Sequence, residues 1–388
     1  MVNQLPQGWK EEELGKHANI KRGNTITKKQ VVHGDYPVVA GGKGAAYYHN
    51  EYNRQPPVIT VSGSGASAGY VNYWEVPIFA SDCSTIEEKD LNIKYIYYFL
   101  KSRQQELLDK QVGVAIPHVS PKDVSPLLIP YPIDKGEQDY IVKTLDAVTE
   151  IIRLRKETIQ LAKELIPTIF QEMFGDPITN PKGWNKKDLG QVCDVRDGTH
   201  ASPKFYPEGY PLITSKNLID GEIDFSNVSF ISEKDYEEIN KRSFVDDGDI
   251  LLAMIGTIGN PVIVKRNRDF AIKNIALIKF YKKDSEVTNT YIKSVLELVT
   301  DNLKLQSIGV TQKFISLGFL RKYSIPIPPI TMQEEFADKV EQINKYIAAQ
   351  QEELEQFETL FQSLLQEAFT GVLTWNYPRK ECHDKKDK

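Results

Sequence analysis

The sequence predicts a fold of α/β (α+β) class: two copies of one globular unit joined by two long antiparallel α-helices that form a coiled-coil spacer, with a pseudo-twofold internal repeat. Three observations carry this expectation. Motifs recur at a nearly fixed offset, each copy closes on a segment with helical apolar spacing, and short strand-like runs fill the space between.

The first copy opens with Gly8-Trp9 followed by Leu14-Gly15, and the same spacing returns 175 residues later as Gly183-Trp184 followed by Leu189-Gly190. A polar, glycine-containing stretch follows each opening: KRGNTITKK from Lys21 and VRDGTHASPK from Val195. Val58-Ile59-Thr60-Val61 and Asp249-Ile250-Leu251-Leu252-Ala253 read as short strands running into the glycine loops Ser62-Gly63-Ser64-Gly65 and Ile255-Gly256-Thr257-Ile258-Gly259. No helix follows directly and no lysine occupies the required place, so neither loop is a P-loop or a dinucleotide fingerprint. They serve either as tight β connections or as places where backbone comes close to a ligand. Gly113-Val114 with Ser120 returns as Gly309-Val310 with Ser316, and Ile129-Pro130-Tyr131-Pro132 as Ile325-Pro326-Ile327-Pro328, now at an offset of 196. Insertions in the middle of the second copy account for the drift.

The closing segments repeat most faithfully. Ile141, Leu145, Val148, Ile152, Ile159, Ala162 and Ile166 follow four-three spacing, which aligns them along one stripe of a helix. An offset of 195 gives Phe336, Val340, Ile343, Ile347, Leu354, Phe357 and Phe361, all apolar, and maps the one polar seam position, Arg155, onto Gln350. The first helix ends near Phe174-Gly175-Asp176-Pro177 and the second near Thr370-Gly371, where glycine suits a left-handed cap. About 30 residues at a rise of 1.5 Å make a rod of roughly 45 Å. Two rods with matching seams pair antiparallel; alternatively, each packs on its own globular domain. The resulting divisions are globular domains at 1–132 and 176–328, helices at 133–175 and 329–371, and a polar tail at 372–388.

Composition narrows the function classes. The 388 residues exceed a usual single domain, and 40% hydrophobic residues suit a soluble globular chain. No apolar run is long enough for a membrane span and the opening MVNQLPQGWK lacks the pattern of a signal peptide, so a cytoplasmic protein without a membrane partner is expected. Cys83, Cys193 and Cys382 are too far apart for a CxxC metal site, and their odd number argues for reduced thiols. The net charge of −5 is uneven: residues 323–375 hold 2 basic and 9 acidic residues, whereas 1–125 and 176–322 each come to +1. Composition alone would therefore not suggest a polyanionic ligand.

No HExxH, GxSxG or CxxC motif is present. His118 and His200 read as lone surface or structural histidines, and Cys382-His383 in the lysine-rich tail as no metal site. No catalytic residue and no bound metal are expected. The candidates for binding are instead the polar loops at equivalent places. In the first copy these are Lys21, Arg22, Asn24, Thr25, Lys28 and Lys29, with Lys43, Ser62 and Ser64. In the second they are Arg196, Thr199, His200, Ser202 and Lys204, then Ser215, Lys216 and Asn217 after Thr214, with Thr257 and Lys313. Arginine and lysine suit guanine edges and phosphates, asparagine suits adenine, and serine or threonine suits either; the alternative for each residue is a solvated loop.

Over almost its full length the chain resembles the DNA-specificity subunits of type I restriction-modification systems. The resemblance rests on the two Trp-x4-Leu-Gly openings at Trp9 and Trp184, on Asp197-Gly198-Thr199-His200 with Leu212 to Asn217, and on the two Ile-Pro runs. Gln138 and Gln333 before the helices, and the Phe174-Gly175-Asp176-Pro177 and Phe369-Thr370-Gly371 exits, complete it. It implies two target recognition domains, a split asymmetric site on double-stranded DNA, and no active site or cofactor on this chain. By the same resemblance, two modification subunits using S-adenosylmethionine supply adenine N6 methylation, and two restriction subunits with ATP and Mg supply a motor and nuclease. A duplicated interaction scaffold that never touches DNA is the alternative.

Overall fold

The computed structural model describes residues 5–109, 118–281, 285–307, 313–374 and 377. It divides into two compact units, Met1–Glu157 with Gln351–Lys388, and Thr158–Gln350. Both divisions fall inside long helices, Lys135–Phe174 and Ile330–Ala368, so each unit contains a stretch of both.

In the first unit, a four-stranded antiparallel sheet runs in the order Ala18–Arg22, Cys83–Glu88, Val58–Ser62, Val71–Trp74. The run Val-Ile-Thr-Val-Ser lies in the interior of this sheet, and all five of its residues are buried, as its β-branched composition favours. A three-stranded sheet orders Ala45–His49, Tyr36–Val39 and Phe79–Ala80, the last pair parallel. Trp9–Glu13 pairs with Leu128–Pro132, bringing the beginning and end of the globular region together. Helix Ile93–Ser102 starts at Asn92, whose side chain accepts from the backbone N–H of Lys94 and Tyr95. Its Tyr95, Ile96, Phe99 and Leu100 enter one core with Ile59, Val61 and Ile86 of the sheet, Ile141 and Leu145 of the first long helix, and Leu365 and Phe369 near the end of the second. Fully burying each such side chain contributes about 1.5–3 kcal/mol, so the helix stretches are fastened to the domain by its own core.

The second unit has the same strand orders. Its four-stranded sheet is Asp194–Asp197, Ile275–Lys279, Ile250–Ala253, Gly259–Ile263. Its three-stranded sheet is Ser229–Ile231, Tyr210–Ile213, Ala271–Ile272, again with the last pair parallel. Lys186–Asp188 pairs with Ser324–Pro326. The added chain is local: the offset between copies grows from 174 at Tyr36 and Tyr210 to 192 at Val58 and Ile250. Two features occupy the insertion. One is the hairpin Leu218–Ile219 and Glu222–Ile223, turned by Asp220 and Gly221 at φ of 50° and 81°. The other is helix Glu233–Ser243, capped by Ser232, whose hydroxyl accepts from the Asp235 N–H.

The long helices contain 40 and 39 residues, which makes each a rod of about 60 Å, longer than the apolar seam alone indicates. Gly175 closes the first with φ of 79°, and Gly371 follows the second with φ of 75°. Every seam position is buried or half-buried. Ile141, Leu145, Val148, Ile159, Ala162, Phe336, Val340, Ile347 and Gln350 are buried; Ile152, Arg155, Ile166, Ile343, Leu354, Phe357 and Phe361 are half-buried. Within the first unit the helices run side by side and exchange ion pairs, Arg155 to Glu353 and Lys156 to Glu358, each at 2.7 Å. Within the second, Phe170 and Phe174 of one helix meet Phe336 of the other edge to face, with Tyr291 stacked on Phe170. Pairing and docking onto the globular domain, alternatives by sequence, are both realised. No described helix is long and apolar enough to cross a membrane.

Candidate nucleic-acid interface

Each polar loop leaves its first sheet strand through a glycine that the fold leaves no room to replace. A Cβ on Gly23 would lie 2.1 Å from the Ser81 carbonyl oxygen, and one on Gly198 would lie 2.3 Å from that of Ile272. Such separations are far inside van der Waals contact. The loops are thereby pressed onto the strand beside them, and the side chains that follow are set at the sheet end.

In the second unit, His200 is exposed with both ring nitrogens engaged: Nε2 is 2.8 Å from Asp197 Oδ2 and Nδ1 is 2.9 Å from Asn274 Oδ1. Two oxygen acceptors favour the doubly protonated ring, and the contacts with Asn274 and then Asp197 hold the imidazole pKa above its ordinary value of 6.5. Asp197 is itself buried and also accepts from Arg242 Nη2. Each guanidinium nitrogen of Arg196 has one partner: Nε and Nη2 reach Asp194 at 2.8 and 2.6 Å, and Nη1 donates to the Arg242 carbonyl at 3.0 Å. Lys273 donates to Ser202 Oγ at 2.7 Å, and Lys204 stands 5.4 Å from the exposed Tyr206 ring. Thr199 is half-buried, its hydroxyl accepting from the Ala201 N–H. Lys216, Thr257 and Lys313 are exposed and Ser215 is half-buried.

In the first unit, Lys21, Arg22, Asn24, Thr25, Lys28, Lys29 and Lys43 are all exposed. Lys21 pairs with Glu87 at 3.1 Å. Lys28 and Lys43 lie 5.9 and 5.6 Å from the rings of Tyr47 and Tyr70. Arg54 braces the strand beneath, donating to the Arg22 carbonyl at 3.0 Å and to Thr85 Oγ1 at 2.9 Å.

Three expected readers are turned inward. Asn217 is buried, its Oδ1 accepting from the Thr214 N–H and hydroxyl at 3.0 Å each while Nδ2 donates to the carbonyls of Asp224 and Asn227. All of its donors and acceptors are spent on the turn, leaving none for a base. Ser62 is fully buried and donates to the Gly42 carbonyl at 2.7 Å, and Ser64 donates to the Asp82 carboxylate. Both glycine loops join antiparallel strands, and a β-bridge pins each, Ser64 to His118 and Ile255 to Phe314. The repeated Gly113-Val114 and Gly309-Val310, and Cys382-His383 in the tail, lie outside the described residues.

Sequence reasoning passed over Arg242, Lys273 and Asn274, which join the His200 loop from distant segments, and the exposed Tyr47, Tyr48 and Tyr206. Adjacent tyrosines on Ala45–His49 were a signal available in the sequence; the partners of His200 had none. Among the described residues, no group of three or more His, Cys, Asp or Glu side chains converges as metal ligands would.

Behind each loop set, one joint recurs at the start of the long helix. Gln138, buried, donates to the Pro132 carbonyl at 2.9 Å and accepts from the Asn92 N–H at 3.3 Å. Gln333, fully buried, donates to the carbonyls of Pro328 (2.9 Å) and Glu286 (3.0 Å) and accepts from the Thr288 N–H at 3.0 Å. Asn92 and Thr288 are themselves the caps of the helices that pack on the sheets. Tyr95 and Tyr291 add hydroxyl donors to the Pro130 and Pro326 carbonyls at 2.7 and 2.8 Å, and burial pushes both phenols up.

Two segments, residues 6–164 and 181–359, match the family described as the type I restriction modification DNA specificity domain. The specificity subunit of the type I restriction enzyme MjaVIII from Methanocaldococcus jannaschii is 22% identical over 404 residues, covering 95% of this chain and 94% of its own. The EcoKI specificity subunit of Escherichia coli K12 is 21% identical over 431 residues, covering 96% and 91%. A solved S subunit of a type I restriction-modification system from M. genitalium superposes with a TM-score of 0.58 at 18% identity, over 95% of this chain and 97% of that one.

Proposed function

We propose, from the premise that the chain belongs to the type I restriction-modification DNA specificity family, that it reads a bipartite, asymmetric target in double-stranded DNA, one part with each unit. It performs no chemistry itself. It recruits two modification subunits, which use S-adenosylmethionine to methylate adenine N6, and two restriction subunits, which use ATP and Mg, in the cytoplasm where the DNA lies. The paired long helices act as an antiparallel coiled-coil spacer between two copies related by a pseudo-twofold repeat.

One observation carries the reading: the two units repeat the same strand orders and the same Gln and Tyr joint, yet the loops at the equivalent sheet ends carry different side chains. A common scaffold with divergent loops suits two different half-sites, because sequence is read by side-chain donors and acceptors at base edges while the scaffold only positions them. The chain's acidity supports a division of labour. With 2 basic against 9 acidic residues in 323–375, the second helix suits protein partners better than phosphate.

The test is an exchange. Residues 176–322 are replaced by the equivalent region of a relative with another target, the chimera is expressed with its methyltransferase subunits, and modified sites are mapped by methylome sequencing. One half of the motif changes and the other stays. A change in both halves, or methylation without sequence preference in the parent complex, overturns the reading.

A further inference from the structure

The arginine named by sequence and the arginine presented by structure differ. Arg196 has all three guanidinium nitrogens engaged by Asp194 and the Arg242 carbonyl. Arg242, near the end of helix Glu233–Ser243, has a side chain that is two-thirds exposed (67%), and among the described residues the one hydrogen bond of its guanidinium is Nη2 on Oδ1 of Asp197, a carboxylate only 7% exposed. The other oxygen of that carboxylate holds His200. Arg196 in turn fixes the Arg242 backbone through its carbonyl. The guanidinium is thus oriented from behind, among the described residues its Nη1 and Nε have no partner, and Nη2 keeps a second N–H that completes a parallel pair with one of them.

Resting on the function proposed above, we infer that Arg242 reads a guanine in the half-site contacted by the second unit, with Asp197 as its positioning residue. Guanine O6 and N7 accept two parallel N–H groups, and a guanidinium anchored at one nitrogen by a buried carboxylate has such a pair to offer. A phosphate also accepts an arginine fork, but it carries no sequence, so a phosphate contact predicts a uniform loss at all sites instead of a loss confined to one position. The surroundings fit a base-reading face: Thr199, His200 and Ser202 lie on one loop, and Lys273 joins it by donating to Ser202 Oγ. Helix Glu233–Ser243 belongs to the insertion found only in the second copy. The guanine contact is therefore a property of one half of the target, and the first unit, with Arg22 at the position equivalent to Asp197, has no such buttress.

The experiment uses the full complex with its methyltransferase subunits, expressed in cells free of other adenine methylation, with motifs read by methylome sequencing. The unit that reads each half is assigned by the 176–322 exchange. Arg242→Ala and Arg242→Lys are each expected to lower the preference for guanine at one position of the second unit's half-site by roughly tenfold to a hundredfold, leaving the other half intact. Asp197→Asn is expected to weaken the same position. The lysine variant keeps the charge and serves should the alanine variant fold poorly. An unchanged motif in Arg242→Lys, a uniform loss at all sites, or a half-site lacking guanine would each overturn the inference. Any of these in a wild-type complex that still methylates a bipartite motif leaves the proposed function standing.

Discussion

Replacing Gln333 by leucine probes the joint between domain and helix. The side chain is fully buried and makes three hydrogen bonds, to Pro328, Glu286 and Thr288, at 2.9–3.0 Å. Leucine fills a similar volume but leaves two carbonyls and one N–H unpaired in the interior. Each lost bond costs about 0.5–1.5 kcal/mol net, and more where the orphaned group stays dry, so Gln333→Leu should destabilise the second unit by about 3–5 kcal/mol. For a unit of this size that is a fall of about 10 °C in Tm. Gln138→Leu removes only two contacts, one stretched to 3.3 Å, and should cost about 2–3 kcal/mol. The assay is thermal and urea unfolding followed by circular dichroism, with the fluorescence of a variant that keeps Trp184 alone of the four tryptophans reporting on the second unit. A fall under about 2 °C for Gln333→Leu, or a larger effect of Gln138→Leu, would refute the reasoning.

Three further outcomes are expected. Gly198→Ala should destabilise by about 1–3 kcal/mol, because its Cβ would press on the Ile272 carbonyl, whereas Gly44→Ala, with open space around it, should be near neutral in the same urea titration. The raised pKa of His200 means that its clamp stabilises the second unit below the unfolded value near 6.5 and is lost as pH rises through the higher folded value. Melting temperature should accordingly decline slightly from about pH 6 to pH 8, and His200→Gln should remove that slope; an identical slope in the variant contradicts the clamp. Burial pushes the Cys83 and Cys193 thiols up to about 12, so in a Cys382→Ser variant both should resist maleimide at pH 8 until denaturant is added.

Periodicity and spacing made the long helices, the recurrence of motifs and the strands at Val58 and Ile250 legible, because these follow from local patterns of apolar residues and turn formers. The rod of roughly 45 Å read from the apolar seam falls short of the first helix, which has 40 residues. The run continues through Pro167, a residue that ordinarily breaks a helix interior. Next to it, Thr168 Oγ1 donates to the Glu164 carbonyl at 2.9 Å, which adds a side-chain bond where the ladder is interrupted. Asn217 was misjudged although its signal was local: Thr214-x-x-Asn217 forms a capping box, with Asn closing it, and a residue so placed is consumed by its own turn. The Asp197 to Arg242 pair was illegible for a different reason. Its members are 45 residues apart and meet only because an inserted helix returns to the sheet end, which no local pattern encodes.

The acceptors of the helix joint are main-chain carbonyls: Pro132 and Pro328 for the glutamines, Pro130 and Pro326 for the tyrosines. A joint addressed to backbone is indifferent to most side chains around it, so the loops beyond can be rewritten without refitting the connection. On the function proposed above, an exchanged segment that keeps its Tyr and its Ile-Pro strand brings a whole set of loops onto the same joint. On that reading, a change of target is a single exchange of a unit and leaves the helix joint untouched.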